Sequence, residues 1–229
     1  MSAGRGSSWA GAEIPSAALL VIDVQNGFIS EAGELPVPGG AEVIPAINEL
    51  LPHFPVRVAT QDWHPRDHGS FASRHPGAKP FDRGELEGLP QVFWPDHCVQ
   101  GTRGAELHPA LDQSRIQAII RKGMDPATDS YSGFSDNAGK NPTGLDGYLK
   151  ARGVRKIYVA GLALDYCVRW SALDARRLIP EMQVHVIVDA TRPVAPSSGA
   201  EALRDLGHAG VQLVQSAEVL AGISRAGAV

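Results

Sequence analysis

Apolar and polar positions follow two rhythms along this chain. Six short runs are apolar almost throughout: Ala17–Asp23, Val56–Thr60, Ile116–Arg121, Lys156–Gly161, Val184–Asp189 and Val211–Val214. Runs of this kind, rich in Val and Ile, predict strands of a parallel sheet buried on both faces. Between them apolar residues recur at helical spacing. Ala41–Leu51 places Val43, Ile47, Leu50 and Leu51 on one side, with Pro45 expected to weaken or bend its first turns. Further helices are predicted over Leu145–Ala151, ending at Gly153; over Tyr166–Leu178, before Pro180; and over Ser197–Leu206, ending at Gly207. Strands alternating with helices predict an α/β protein. The expected architecture is a three-layer α/β/α sandwich with a mainly parallel six-stranded sheet, Rossmann-like, with right-handed crossovers.

One stretch breaks the rhythm. Residues 61–105 show little periodicity, and structureless stretches of this length are usually functional. Four of the eight histidines fall there, His64, His68, His75 and His97, with His108 just beyond.

Composition narrows the reading. The 229 residues suit one large domain or two small ones, and no internal repeat or linker stands out. Residues 1–15, rich in Gly, Ser and Ala, read as a flexible tail, and 16–229 as a single domain. The formal charge of −4 argues against nucleic-acid binding, which needs a basic face. No apolar run is long enough for a signal peptide or a membrane span, so a cytoplasmic protein without a membrane partner is expected. Two cysteines, Cys98 and Cys167, exclude a disulfide scaffold. They leave two buried thiols, one disulfide, or a reactive thiol; in a reducing compartment the disulfide is the least favoured.

Candidate chemistry collects at the strand ends, where parallel α/β sheets bind ligands. Asp23 ends the first strand, Asp62 follows the second, Lys122 ends the third and Cys167 follows the fourth. Any one alone is an ordinary strand-end polar residue or a core thiol; together they form a candidate site. Cys167 follows a strand and a tight turn and opens a helix, which places its sulfur where a helix dipole favours thiolate and free N–H groups form an oxyanion hole. Asp62-Trp63-His64, with His68 and His97, offers carboxylate and imidazole donors suited to zinc, iron or manganese. His75 and His108 read as bystanders and Cys98 as a packed thiol. There is no Walker A loop, no G-x-G-x-x-G after the first strand and no G-x-S-x-G elbow.

Seven segments together are specific: Leu20-Val-Ile-Asp-Val-Gln-Asn26, Thr60-Gln-Asp-Trp-His-Pro65, His68-Gly-Ser-Phe-Ala-Ser73, Phe93-Trp-Pro-Asp-His-Cys-Val-Gln-Gly-Thr102, Lys122-Gly123, Asp129-Ser-Tyr-Ser-Gly-Phe134 and Gly161-Leu-Ala-Leu-Asp-Tyr-Cys-Val168. From about Ala17 to Val214 the chain resembles the nicotinamidase/pyrazinamidase family of isochorismatase-like cysteine hydrolases. The resemblance implies hydrolysis of nicotinamide, and of pyrazinamide, through a Cys167–Asp23–Lys122 triad and a thioester, in the setting of NAD salvage. It implies oxyanion donors at Ala163 and Cys167, a cis peptide at Leu162–Ala163, and pocket walls from Phe28, Leu35, Trp94, Tyr131 and Tyr166. It also implies one divalent ion, zinc before iron or manganese, on Asp62, His64 and His97, with His68 as a further candidate ligand. The chain departs from the family pattern at Gly27, where many relatives carry Asp, and at Leu164, where Thr is common. A homo-oligomer stays open. The alternatives are an amidase for carbamoyl or maleamate-like substrates, a silent ligand-binding member, and a redox-sensing thiol protein.

Overall fold

A computed structural model describes residues 14–226. Most of the expected tail, up to residue 13, lies outside them. The strands are β1 (Ala17–Ile22), β2 (Val56–Asp62), β3 (Arg83–Leu86), β4 (Leu89–Val92), β5 (Ala118–Lys122), β6 (Lys156–Leu162), β7 (Gln183–Arg192) and β8 (Gln212–Val214). The α-helices are α1 (Asn26–Ile29), α2 (Val43–Leu50), α3 (Leu145–Ala151), α4 (Arg169–Leu178), α5 (Pro196–His208) and α6 (Ser216–Ala226). Six strands form one sheet in the order β5-β2-β1-β6-β7-β8, and every pairing in it is parallel. Counted in chain order these six lie 3-2-1-4-5-6, the doubly wound order of a Rossmann-like sheet.

Strand β1 shows why two cores form. All six of its residues are buried. Leu19 and Val21 point into one cluster with Val43, Ile47 and Leu50 of α2 and Val219 and Ile223 of α6. Ala18, Leu20 and Ile22 point into the other, with Leu145 and Leu149 of α3, Ala172 and Ala175 of α4, and Ala202 and Leu206 of α5. The period-two alternation of a strand makes this division, and each fully buried Leu, Ile or Val contributes about 1.5–3 kcal/mol. Three layers result.

The expected strands are all present, and four gain length at their carboxyl ends: β2 reaches Asp62, β5 reaches Lys122, β6 reaches Leu162 and β7 reaches Arg192. Pro45 turns out to be harmless. It is the third residue of α2, where a missing N–H costs no helical bond. The expected helix from Tyr166 begins as a π-helical turn, Leu164–Val168, and becomes α-helical only at Arg169. The stretch 61–105 is less bare than expected, since it carries the β3–β4 antiparallel hairpin. Among the described residues no helix is long and apolar enough to cross a membrane.

Candidate active site

The strand order reverses between β1 and β6, which opens a crevice at their carboxyl ends. Asp23 leaves β1 there, and Ala163 with the Leu164–Val168 turn leaves β6. Asp62 and Lys122 end the two neighbouring strands and face each other in register. Parallel pairing therefore brings residues far apart in sequence to one edge.

Lys122 is the hub. Its ammonium is buried and lies 3.0 Å from Asp23 Oδ2. It donates to Asp62 Oδ1 at 2.5 Å, to the Ser130 carbonyl at 3.0 Å and to Cys167 Sγ at 3.4 Å. Burial alone would depress the Lys122 pKa, but Asp23 and Asp62 outweigh it and hold the ammonium well above its ordinary value. Asp62 is the converse case. Burial works to raise it, and Lys122 followed by His64 outweighs burial and holds the carboxylate far below the usual range. For Asp23 burial wins and the pKa is raised, with Lys122 opposing and Asp62 adding. Thr60 Oγ1 accepts from the Asp23 N–H at 3.1 Å and donates to Asp23 Oδ1 at 2.6 Å.

Cys167 corrects an expectation. Burial pushes its thiol well above the ordinary value; Lys122 pulls it down, and Asp23 and Asp62 add to the rise. That direction is opposite to the thiolate-favouring one expected of a helix dipole. The sulfur also sits in the π turn, before α4 begins. One carboxylate oxygen of Asp23 and one of Asp62 lie with Cys167 Sγ, all within 4.8 Å of one another. Cys98 and Cys167 are both free and buried, and the Cys98 sulfur points to the Gly104 carbonyl at 3.7 Å. No disulfide joins them.

Beside the triad, Asp62, His64 and His97 converge. Asp62 Oδ2 lies 3.6 Å from His64 Nε2 and 3.9 Å from His97 Nε2. Nδ1 of His64 donates to the Gly123 carbonyl at 2.9 Å, and Nδ1 of His97 to the Pro95 carbonyl at 2.8 Å. With Nδ1 engaged, each ring turns the lone pair of Nε2 toward Asp62, the tautomer a metal ligand needs. These residues fit a divalent ion. Glycine is required at 123, where φ is +67° and a Cβ would collide with the His64 ring. The backbone of Asp62 is clamped by Gln25, which donates to its carbonyl at 2.9 Å and accepts from its N–H at 2.8 Å.

His68 does not join that trio. It groups with His64 and Asp129, its Nδ1 is 2.7 Å from Ser70 Oγ, and its buried Nε2 has no protein partner. Burial, and then His64, lower the pKa of His68 to about 4. His97 is lowered to about 4 by the same two causes, whereas His64 is raised because Asp62 outweighs burial. His75 bonds the Gly69 carbonyl and stacks on Phe93, away from the cluster.

All five expected walls line one cavity: Phe28, Leu35, Trp94, Tyr131 and Tyr166. Asp62, His64, His97, Ala163 and Cys167 open onto it as well. Trp94 and Tyr166 meet edge to face at 4.9 Å, and Tyr131 and Tyr166 at 5.3 Å. The peptide Leu162–Ala163 is cis, as expected. Three lining residues escaped the sequence reading: Val37, Asp129 and Val194. Asp129 accepts from the Gln91 side chain at 2.7 Å, which ties β4 to the pocket. Thr60, Gln25 and Asp129 all stand within the motif segments, which was the only sequence signal for them; Gln91 and Val194 had none.

A doubly wound sheet with a thiol, a carboxylate and an ammonium at its switch point, beside a carboxylate–imidazole cluster, is an enzyme-like arrangement on a known architecture. The chain belongs to the isochorismatase family, whose domain model matches residues 17–218. It is 47% identical to the nicotinamidase of Acinetobacter baylyi over 204 residues, 89% of this chain and 94% of that one. It is 44% identical to the nicotinamidase of Escherichia coli over 211 residues, 90% and 97% of the two chains. Among solved structures, the Acinetobacter baumanii nicotinamidase/pyrazinamidase superposes with a TM-score of 0.85 at 45% identity, covering 89% of this chain and 98% of that one. The yeast nicotinamidase bound to the inhibitor nicotinaldehyde gives 0.82 at 31%, with 87% and 99% covered. The Pyrococcus horikoshii pyrazinamidase in complex with zinc gives 0.71 at 36%, with 88% and 99% covered.

Proposed function

We propose that this chain is a metal-dependent nicotinamidase, one hydrolase domain over residues 16–229, converting nicotinamide to nicotinic acid and ammonia and acting on pyrazinamide likewise. One observation carries the reading. The buried Lys122 ammonium touches Asp23, Cys167 and Asp62 at once, and the last two open onto an aromatic cavity. The names of the similar proteins supply the substrate class.

Amide hydrolysis needs a nucleophile, a proton for the leaving amine and a home for the oxyanion. Asp23, whose pKa burial raises, takes the Cys167 proton as sulfur attacks the carboxamide carbon. The C–S bond forms, and the carbonyl electron pair moves to an oxyanion received by the N–H groups of Ala163 and Cys167. One such donor contributes about 3–4 kcal/mol in the transition state. Asp23 returns the proton to the departing nitrogen, the C–N bond breaks, ammonia leaves and a thioester remains. Water then attacks the thioester with Asp23 as base, which releases nicotinate and restores the thiol. Lys122 holds Asp23 in place and offsets the negative charge that builds on sulfur.

Asp62, His64 and His97 would hold the ion, zinc by preference with iron or manganese also accommodated, and His68 stands by as a further ligand. Bound there, the ion supplies Lewis acidity and a binding point for the ring nitrogen. The flat aromatic walls suit a heteroaromatic ring. Free thiols suit a cytoplasmic setting.

Purified protein incubated with nicotinamide, and separately with pyrazinamide, should release ammonia and the matching acid. Chelation should stop release and zinc should restore it. Folded, zinc-loaded protein that releases no ammonia from either amide would overturn the reading.

A further inference from the structure

The turn that carries Cys167 is closed by its own backbone bonds, Arg169 N–H donating to the carbonyls of Leu164 and Tyr166. Between Ala163 and Val168 the chain winds as a π turn, in which Tyr166 N–H and Val168 N–H both donate to the single carbonyl of Ala163 at 3.1 Å. Catalysis through Cys167 and the two N–H donors tolerates errors of only about 0.5 Å, so something must also anchor the turn to the rest of the fold.

Asp165 does. Its side chain is buried in the middle of the turn and reaches across to the segment that opens α5. Oδ1 accepts from Val194 N–H at 2.9 Å, and Oδ2 accepts from Ala195 N–H at 3.3 Å and from Ser198 Oγ at 2.5 Å. Ala195 is the N-cap residue of α5 and supplies no side-chain cap, so a carboxylate from a different element serves that helix end. Beside it, Leu164 packs toward Gly199 of α5, which a Cβ would drive into Pro193. Val194, one of the two backbone donors, lines the same cavity as Ala163 and Cys167. The three bonds and the helix end also compensate a negative charge two residues from the nucleophile.

We propose that Asp165 is the positioning residue of the nucleophile turn, locking the Cys167 sulfur and the oxyanion N–H groups in register with the Val194 wall through the start of α5. Asp165 acts through Cys167 and Ala163, without touching the reacting atoms. The inference rests on the nicotinamidase reading and deepens it.

The test compares two ligands in zinc-loaded protein. Nicotinaldehyde binding draws on the aligned sulfur. Sulfur bonds to the aldehyde carbon, the carbonyl pair moves to the oxygen facing the N–H donors, and the thiol proton passes to Asp23. Nicotinate needs only the cavity. For Asp165→Ala, kcat on nicotinamide and affinity for nicotinaldehyde should both fall about tenfold to 100-fold, with KM and nicotinate affinity within about threefold. Asp165→Asn keeps the shape and one acceptor, and should recover most of the loss. If Asp165→Ala does not fold, Ser198→Ala removes one of the three bonds and should lower kcat about threefold to tenfold.

A folded Asp165→Ala with kcat at the parent value would overturn the proposal. So would equal weakening of nicotinaldehyde and nicotinate, the mark of a merely structural role, or an unaltered Ser198→Ala where Asp165→Ala is unfolded. Absence of turnover in the parent protein itself is a separate result, and counts against the nicotinamidase reading instead.

Discussion

At Lys122, the strand-end residues that the sequence groups as one candidate site become one set of contacts. Asp23 and Cys167 were readable as triad partners of a strand-end lysine, and Asp62 as a metal ligand. Their common contact with one ammonium was not readable, because it depends on the β2–β5 register that sets Asp62 opposite Lys122. The consequence is energetic as well as chemical. Removing one partner of a buried ion pair leaves uncompensated charge. Lys122→Met should therefore cost about 3 kcal/mol of stability, measured by urea unfolding of metal-free protein, besides its loss of activity. A change within experimental error would show that water already screens the cluster. Cys167 teaches a different lesson at this scale. Its place after a strand and turn was legible. The upward push on its pKa was not, since burial and two carboxylates from other strands cause it against the pull of Lys122.

Strands were the most legible elements, because burial on both faces writes them as unbroken apolar runs. Their carboxyl ends were less so: β2 and β5 extend into the functional residues Asp62 and Lys122, whose charge breaks the apolar run. The β3–β4 hairpin escaped because its Arg83-Gly-Glu-Leu strand has its arginine and glutamate exposed and little apolar content. Helix α6 escaped too, although Val219, Leu220 and Ile223 stand at helical spacing within Ser216–Ala226. The π turn has no sequence signature beyond the motif containing it. Glycine in β6 is decisive for this layer. Gly161 has φ +111°, and a Cβ there would run into the Ile22 carbonyl on the neighbouring strand. Gly161→Ala should push β1 and β6 apart at the switch point and cost about 3 kcal/mol or more, read as a drop in thermal midpoint alongside lost activity. An unchanged midpoint would mean that the crevice yields freely.

For the whole molecule, doubly wound topology was legible from the alternation of elements, and the six-strand order follows from right-handed crossovers around one reversal. The site was legible as a set of residues and illegible as a volume: Val37 and Val194 complete the cavity from loops with no chemical signal. An ion held by Asp62, His64 and His97 ties β2 to the 93–102 loop and should stabilise the entire fold by mass action. Free zinc at 100 times its Kd should raise the unfolding free energy by about 2.7 kcal/mol, seen as a higher thermal midpoint that chelator reverses. A midpoint indifferent to zinc would remove the ion from the account. Covalent catalysis by Cys167 is tested by mass spectrometry of protein quenched during turnover of nicotinamide. A nicotinoyl group should appear on the peptide carrying Cys167, and folded Cys167→Ala should show neither adduct nor turnover. Undiminished ammonia release by Cys167→Ala would contradict covalent catalysis.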